Sequence, residues 1–123
     1  NPYHQNDTST PVDESEEFCC VFEGRLNNHT LLFAAEMDGL CSKTKYNQPL
    51  SPDKWKFMEL KTDKMYPTTS QEHLSRRFKS LSWWAQSYLV GVENIVIGYR
   101  DDLDGIVRRL ATQTVRDLEA RSQ

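Results

Sequence analysis

The chain has 123 residues, of which 37% are hydrophobic and 27% charged, with a formal net charge of −3; its mean hydropathy is −0.70 and its pI about 5.6. That length suits one small domain with a single core, and the acidic balance excludes the overall basic field of a protein that coats nucleic acid, though not an enzyme that takes one strand end into a metal-lined pocket. Three cysteines, Cys19, Cys20 and Cys41, with no Cys-x-x-Cys spacing, argue against a disulfide framework and a zinc site and predict a reduced, intracellular protein; no run approaches membrane-spanning length and no signal peptide is visible, so no membrane partner is expected.

Residues 1–16 hold Asn, Asp, Thr, Ser, Pro and Glu with almost nothing apolar and predict a polar lead-in or loop; residues 17–123 form the domain. Phe18–Arg25 predicts a strand and Asn27-Asn28-His29 a tight turn. Asn28-His29-Thr30 has the form of a glycosylation sequon, but in an intracellular protein it is hairpin-turn composition. Thr30–Asp38 is the hairpin partner, ended by Gly39. Cys41–Asp53 is a polar loop, Lys54–Thr62 a third strand, and Asp63–Thr69 a second loop containing Pro67.

A helix follows. Thr69-Ser-Gln-Glu72 has the spacing of a capping box. Leu74, Phe78, Leu81, Ala85, Tyr88 and Leu89 make one apolar stripe at helical spacing, the expected core face, and Gly91 is a natural stop. Lys79, Trp83, Gln86 and Val90 cluster on another side, so the helix is expected to be covered twice, by the sheet and by something else. Asn94–Arg100 is a strong β run, Asp101-Asp102-Leu103-Asp104-Gly105 a turn, Ile106–Leu110 the returning strand and Thr114–Arg121 the start of a helix. The predicted class is α/β of the α+β kind: a mixed, mainly antiparallel sheet with a long packed helix.

Within the apolar strand runs stand two charged motifs, Glu36 and Asp38 in Ala-Glu-Met-Asp-Gly, and Glu59 and Lys61 in Met-Glu-Leu-Lys-Thr, with 20 residues, 39–58, between Asp38 and Glu59. Alternate strand residues share a face, so if the two strands pair, three carboxylates and one ammonium converge. Left unpaired in a partly buried site such a group is costly, and a divalent metal with a phosphate substrate resolves the conflict. The plainer reading is the solvated face of an antiparallel sheet, or an ordinary cross-strand ion pair with Lys61.

Leu-Leu-Phe-x-x-Glu-Met-Asp, Met-Glu-Leu-Lys-Thr, Trp83-Trp84-Ala85-Gln86-Ser87-Tyr88-Leu89-Val90-Gly91-Val92 and Ile-Val-Ile-Gly-Tyr-Arg-Asp with a following Asp-Gly-Ile-Val come in that order from about Phe18 to Leu110. In this the chain resembles the DXO family of eukaryotic RNA decapping and 5′-3′ exoribonuclease proteins, which includes the fungal nuclear subunit that partners the nuclear 5′-3′ exoribonuclease. The resemblance implies a fold related to the Asp…Glu-x-Lys nucleases, with Mg²⁺ or Mn²⁺ held by Asp38, Glu59 and the backbone carbonyl of Leu60, and by Glu36 directly or through water. It implies that Glu36 also touches substrate, that Lys61 and Gln86 contact the scissile phosphate region or the attacking water, and that Cys19 lines the substrate pocket. Without the resemblance, Gln86 is a helix-surface residue, Trp83 ordinary core packing and Cys19 a small buried hydrophobe.

The chain departs from the family in length and in the arginine motif and further metal-shell glutamate expected upstream. Glu14, Glu16 and Glu17 lack the apolar frame of that glutamate, and the expectation is a central fragment of the catalytic domain. The implied activity is metal-dependent hydrolysis at RNA 5′ ends: removal of incomplete or non-standard caps, NAD caps included, with pyrophosphohydrolase or 5′-3′ exoribonuclease activity. The partners implied are capped or 5′-phosphorylated RNA and a nuclear 5′-3′ exoribonuclease, in the nucleus or also the cytoplasm. The alternatives are a non-catalytic fragment or scaffold that binds a partner exoribonuclease or RNA ends, and a DNA nuclease built on the same acid–lysine site.

Overall fold

A computed structural model describes residue 7, residues 9–66 and residues 68–122, with the backbone alone described at 69, 71–76, 121 and 122. The predicted capping box at Thr69–Glu72, the place of Leu74 in the stripe, Pro67 and most of residues 1–8 of the lead-in therefore lie outside the described residues.

Strands β1 (Cys19–Leu26) and β2 (His29–Glu36) form an antiparallel hairpin in which Cys19 faces Glu36 and Leu26 faces His29. Asn27 takes the left-handed φ of 52° that so short a turn requires, a conformation Asn tolerates better than bulkier residues. The chain then changes sheets. Met37 still donates its N–H to the Phe18 carbonyl (2.9 Å), but Gly39 does not end the run as predicted: Gly39–Leu40 forms a short strand, β3, that pairs with a different sheet.

That sheet has the order β3-β4-β5-β6, with β4 (Phe57–Lys64), β5 (Asn94–Arg100) and β6 (Val107–Thr114). The β3/β4 and β5/β6 pairings are antiparallel, whereas β4 and β5 run parallel, joined by helix α1 (Thr69–Leu89, 21 residues). Helix α2 (Val115–Ser122) closes the chain, and its first turn is held by a reciprocal box in which Asp117 N–H donates to Thr114 Oγ1 (3.1 Å) and Thr114 N–H to Asp117 Oδ2 (3.0 Å). The expected mixed, mainly antiparallel sheet with a long packed helix is the observed class, and β5 has its predicted bounds. Strand β4 starts three residues later than predicted because Pro52–Lys54 makes a 3₁₀ turn and the Trp55 indole N–H donates to the Leu50 carbonyl (3.0 Å); it also takes in Asp63 and Lys64, which were expected in a loop. Strand β6 runs on to Thr114, past the predicted Leu110.

The core lies on one face of the large sheet, where Ile95, Ile97 and Tyr99 of β5 meet Leu118 of α2 and are flanked by Trp83, Trp84, Ala111 and Val115. Burying each such aliphatic side chain stabilises the fold by roughly 1.5–3 kcal/mol. Helix α1 presents the face of Ser80, Trp83, Trp84 and Ser87 inward, the two serines only 3% and 1% exposed. The predicted core stripe is on the other side: Phe78, Leu81, Tyr88 and Leu89 are all more than half exposed. The serines and indoles, with Leu118 of α2, thus form the buried side of the helix in place of the leucine-rich stripe. The helix ends as predicted at Gly91, whose φ of 71° closes a double bond pattern, Val92 N–H to the Ser87 carbonyl (3.0 Å) and Gly91 N–H to the Tyr88 carbonyl (3.2 Å). The hairpin reaches the large sheet through aromatic edges: Phe22 stacks on Phe33 and meets Phe57 edge-on (6.1 Å), which in turn meets Trp55 (5.8 Å). Among the described residues no helix is long and apolar enough to cross a membrane.

Candidate functional site

Alternation along β4 sends Glu59, Lys61 and Asp63 to the face covered by α1, in register with Ile95, Ile97 and Tyr99 of the core. Each charged residue therefore sits at the margin of an apolar layer, where an unpaired charge is costly. Glu59 is only 4% exposed, and Lys61 Nζ lies 2.6 Å from its Oε1. The same ammonium donates to Gln86 Oε1 on α1 at 3.0 Å. One strand turn earlier in space, Asp38 Oδ2 accepts the Leu60 N–H at 2.7 Å, which pins an exposed carboxylate to the β4 backbone between Glu59 and Lys61. Glu59, Lys61 and Gln86 are thus joined side chain to side chain, and Asp38, from a third stretch of sequence, is tied to the Leu60 backbone beside them.

Glu36 is not among them. It ends β2 opposite Cys19, exposed, and among the described residues it forms no hydrogen bond or ion pair with the other four. The expected convergence of three carboxylates assumed that the strand of Glu36 and Asp38 would pair with the strand of Glu59. Instead β2 pairs with β1, the chain bends at Met37 and Asp38, and only the far side of the bend joins β4. The period of two does not carry across that bend, so Glu36 and Asp38 need not share a face. Cys19 is exposed and its thiol free.

Asp38, Glu59 and the Leu60 carbonyl are hard oxygen donors, which suit Mg²⁺ or Mn²⁺ with the remaining positions left to water and a substrate phosphate. Among the described residues no group of three or more Asp, Glu, His or Cys side chains is gathered.

A second charged group escaped the sequence reading. Asp63, 4% exposed, pairs with Lys79 of α1 and accepts from the Lys64 N–H (2.8 Å) and the Tyr66 hydroxyl (3.3 Å). Lys79 lies 5.9 Å from the centre of the Tyr66 ring. Burial works against the charge on Lys79, but the hydrogen bonds and negative charge of Asp63, with Tyr66, outweigh it and hold the ammonium above the ordinary lysine value. The signal was available as the continuing alternation Glu59, Lys61, Asp63, hidden by placing Asp63 in a loop.

The whole chain, residues 1–123, matches the family described as RAI1-like PD-(D/E)XK nuclease. It is 39% identical over 111 residues to the human decapping and exoribonuclease protein, covering 90% of this chain and 27% of that protein. The chain thus spans about a quarter of the length of that relative. Among solved structures it resembles Candida albicans Rai1 in complex with pU5-Mn²⁺, with a TM-score of 0.68 and 25% identity, over 83% of this chain and 25% of that one. It also resembles Schizosaccharomyces pombe Rai1 in complex with 3′-FADP, with a TM-score of 0.65 and 29% identity, over 87% of this chain and 31% of that one.

Proposed function

The chain belongs to the family of RAI1-like PD-(D/E)XK nucleases, and from that membership we propose that it carries part of the site of a metal-dependent hydrolase acting on RNA 5′ ends. The reaction is removal of incomplete or non-standard caps, NAD caps included, with pyrophosphohydrolase or 5′-3′ exoribonuclease activity. The observation that carries this reading is the linking of Glu59, Lys61 and Gln86 across β4 and α1, with Asp38, in the bend before β3, tied to the Leu60 N–H between them. The name of the human relative and the pU5-Mn²⁺ and 3′-FADP complexes of the neighbouring structures support the substrate class and a divalent ion.

In this reading Asp38, Glu59 and the Leu60 carbonyl hold Mg²⁺ or Mn²⁺. Such an ion, when bound, polarises a phosphoryl oxygen and lowers the pKa of a bound water. The Leu60 N–H fixes the Asp38 carboxylate in place, so that little side-chain freedom is lost on binding. Lys61, held between Glu59 and Gln86, places a positive charge where negative charge builds on the reacting phosphate. Gln86 accepts from Lys61 through its carbonyl oxygen and keeps its NH₂ group to orient the phosphate or the attacking water. Glu36 acts through water and on the substrate, and Cys19 beside it lines the pocket. A nuclear setting and a nuclear 5′-3′ exoribonuclease partner belong to the same proposal.

The test is a single-turnover assay of the chain with 5′-monophosphorylated and dinucleotide-capped RNA, with and without Mg²⁺ or Mn²⁺, beside Asp38→Asn. Metal-dependent cleavage lost in the variant is the expected result. A second reading, a non-catalytic module that binds RNA ends or a partner exoribonuclease, draws on the lack, among the described residues, of a gathered group of three or more ligating side chains. RNA binding indifferent to metal and to Asp38→Asn, without cleavage, favours that module.

A further inference from the structure

A cavity of about 710 Å³ is walled by Phe22, the 41–57 stretch and the turn that follows α1, within the roughly 300–1,000 Å³ span of ligand sites. We propose that this cavity seats a single-stranded RNA segment that continues from the reacting phosphate; the inference rests on the RNA 5′-end reading above.

Charge is the first argument. Lys43, Lys54 and Lys56 line the cavity against a single carboxylate, Glu93, in a chain whose net charge is −3. All three lysines are exposed, and among the described residues none of them forms an ion pair. Unpaired ammonium groups concentrated on one wall are receptors for phosphates.

Aromatic planes are the second. Tyr46 and Trp55 line the same space. Tyr46 is 53% exposed. Trp55 is locked by its bond to the Leu50 carbonyl and by edge contacts with Phe18 and Phe57. Rings beside lysines, Trp55 fixed and Tyr46 open to solvent, suit a strand that offers both base faces and phosphates, as in single-strand binders generally. An acidic peptide would engage the lysines and leave the rings without a matching face.

Position is the third. Phe57, which also lines the cavity, stands two residues before Glu59 on the same face of β4, and Val90 follows Gln86 by about one helical turn. One wall residue of the cavity, Phe57, therefore stands about 7 Å from Glu59 along β4, which puts the cavity at the N-terminal end of the strand that carries the acidic site.

The experiment measures fluorescence anisotropy of a 5′-monophosphorylated oligouridylate in EDTA, where no metal-dependent cleavage intervenes. The proteins are the wild-type chain, the triple variant Lys43→Gln/Lys54→Gln/Lys56→Gln, and Tyr46→Ala, each checked for fold by circular dichroism. The triple variant is expected to lose at least about tenfold in affinity at moderate salt, and its log–log salt slope to shrink by about 2, at roughly 0.7 per lost phosphate contact. Tyr46→Ala is expected to lose about tenfold with the slope unchanged. Wild-type affinity and slope in the triple variant overturn the proposal, as does a wild-type chain that binds no strand. Photocrosslinking with 4-thiouridine at internal positions gives a second reading: adducts on Tyr46 or Trp55 support the seat, and adducts confined to α2 or β6 overturn it. Because binding in EDTA needs no turnover, a strand bound through these lysines by a chain that cleaves nothing with metal leaves the cavity assignment standing while the hydrolase reading falls.

Discussion

Two carboxylates on one face of β4, Glu59 and Asp63, stand about 13 Å apart along the strand and are equally buried, each 4% exposed. Their surroundings differ. Asp63 is closed: Lys79, the Tyr66 hydroxyl and the Lys64 N–H all converge on it. Glu59 has Lys61 as its one ion-pair partner among the described residues, and the exposed carboxylate of Asp38 is pinned to the adjoining backbone. Three donors crowd onto Asp63 Oδ1 while Glu59 receives one, on Oε1, and of the roughly four acceptor positions of a carboxylate Glu59 therefore keeps the larger share for a ligand from outside. Burial alone does not distinguish an acid that fastens a helix to a sheet from one that waits for a ligand; the number of donors already engaged does.

The sharpest way to break that distinction is to neutralise acids at each end. Under the proposed reaction, Asp38→Asn or Glu59→Gln lowers the single-turnover rate by about 10²–10³-fold or more, with thermal melting close to that of the wild type. A variant of either residue that cleaves at near-normal rates overturns the site assignment. A Glu59→Gln chain that loses its fold would make Glu59 a fastening residue like Asp63, and the contrast would disappear.

The closed pair is expected to show the opposite profile. Lys79→Met leaves the buried Asp63 carboxylate without its main counter-charge and should destabilise the fold by about 2 kcal/mol. That is less than the 3–5 kcal/mol of a fully buried broken pair, because the Lys79 side chain is 38% exposed. Chemical denaturation reads the difference, and a loss below about 0.5 kcal/mol would show that α1 is held by its indoles alone. Between these extremes stands Gln86. It is exposed, so Gln86→Ala should leave stability within about 0.5 kcal/mol of wild type. If its amide orients the phosphate or the water, the single-turnover rate falls about tenfold; a rate unchanged by the substitution returns Gln86 to the plain helix surface.

How much of this was legible in the sequence depended on how local each cause is. Strand β5 declared itself as an unbroken β run between a glycine-ended helix and an Asp-rich turn, and its bounds were as predicted. Asp38, Glu59, Lys61 and Gln86 were picked out from their motifs, but the contacts that join them come from tertiary structure. The parallel β4/β5 pairing and the change of sheet at Met37 are set by which surfaces are buried together, and no spacing rule reports them. The inward face of α1 was misjudged because the richest apolar stripe, Phe78, Leu81, Tyr88 and Leu89, was taken as the core face, whereas the contact is made by Ser80, Trp83, Trp84 and Ser87. Asp63 was lost through a boundary error of two residues, enough to hide the third member of an alternating row.

The smallest effect is also the most specific to the closed pair. The Lys79 ammonium loses hydration on burial, yet the bonds and charge of Asp63, with Tyr66, more than offset this, so its folded-state pKa lies above the ordinary lysine value of 10.5. A folded state that holds the proton more tightly than the unfolded chain gains stability from it. That gain is fully present below about pH 10.5 and is lost as pH climbs through the raised folded value. Stability differences between wild type and Lys79→Met should therefore stay constant from about pH 7 to 10 and narrow above that range. Taking the difference cancels the titration of the remaining lysines, tyrosines and arginines, which both proteins share. A gap that persists undiminished to about pH 12 would mean that the charge of Lys79 on Asp63 is not what stabilises the fold.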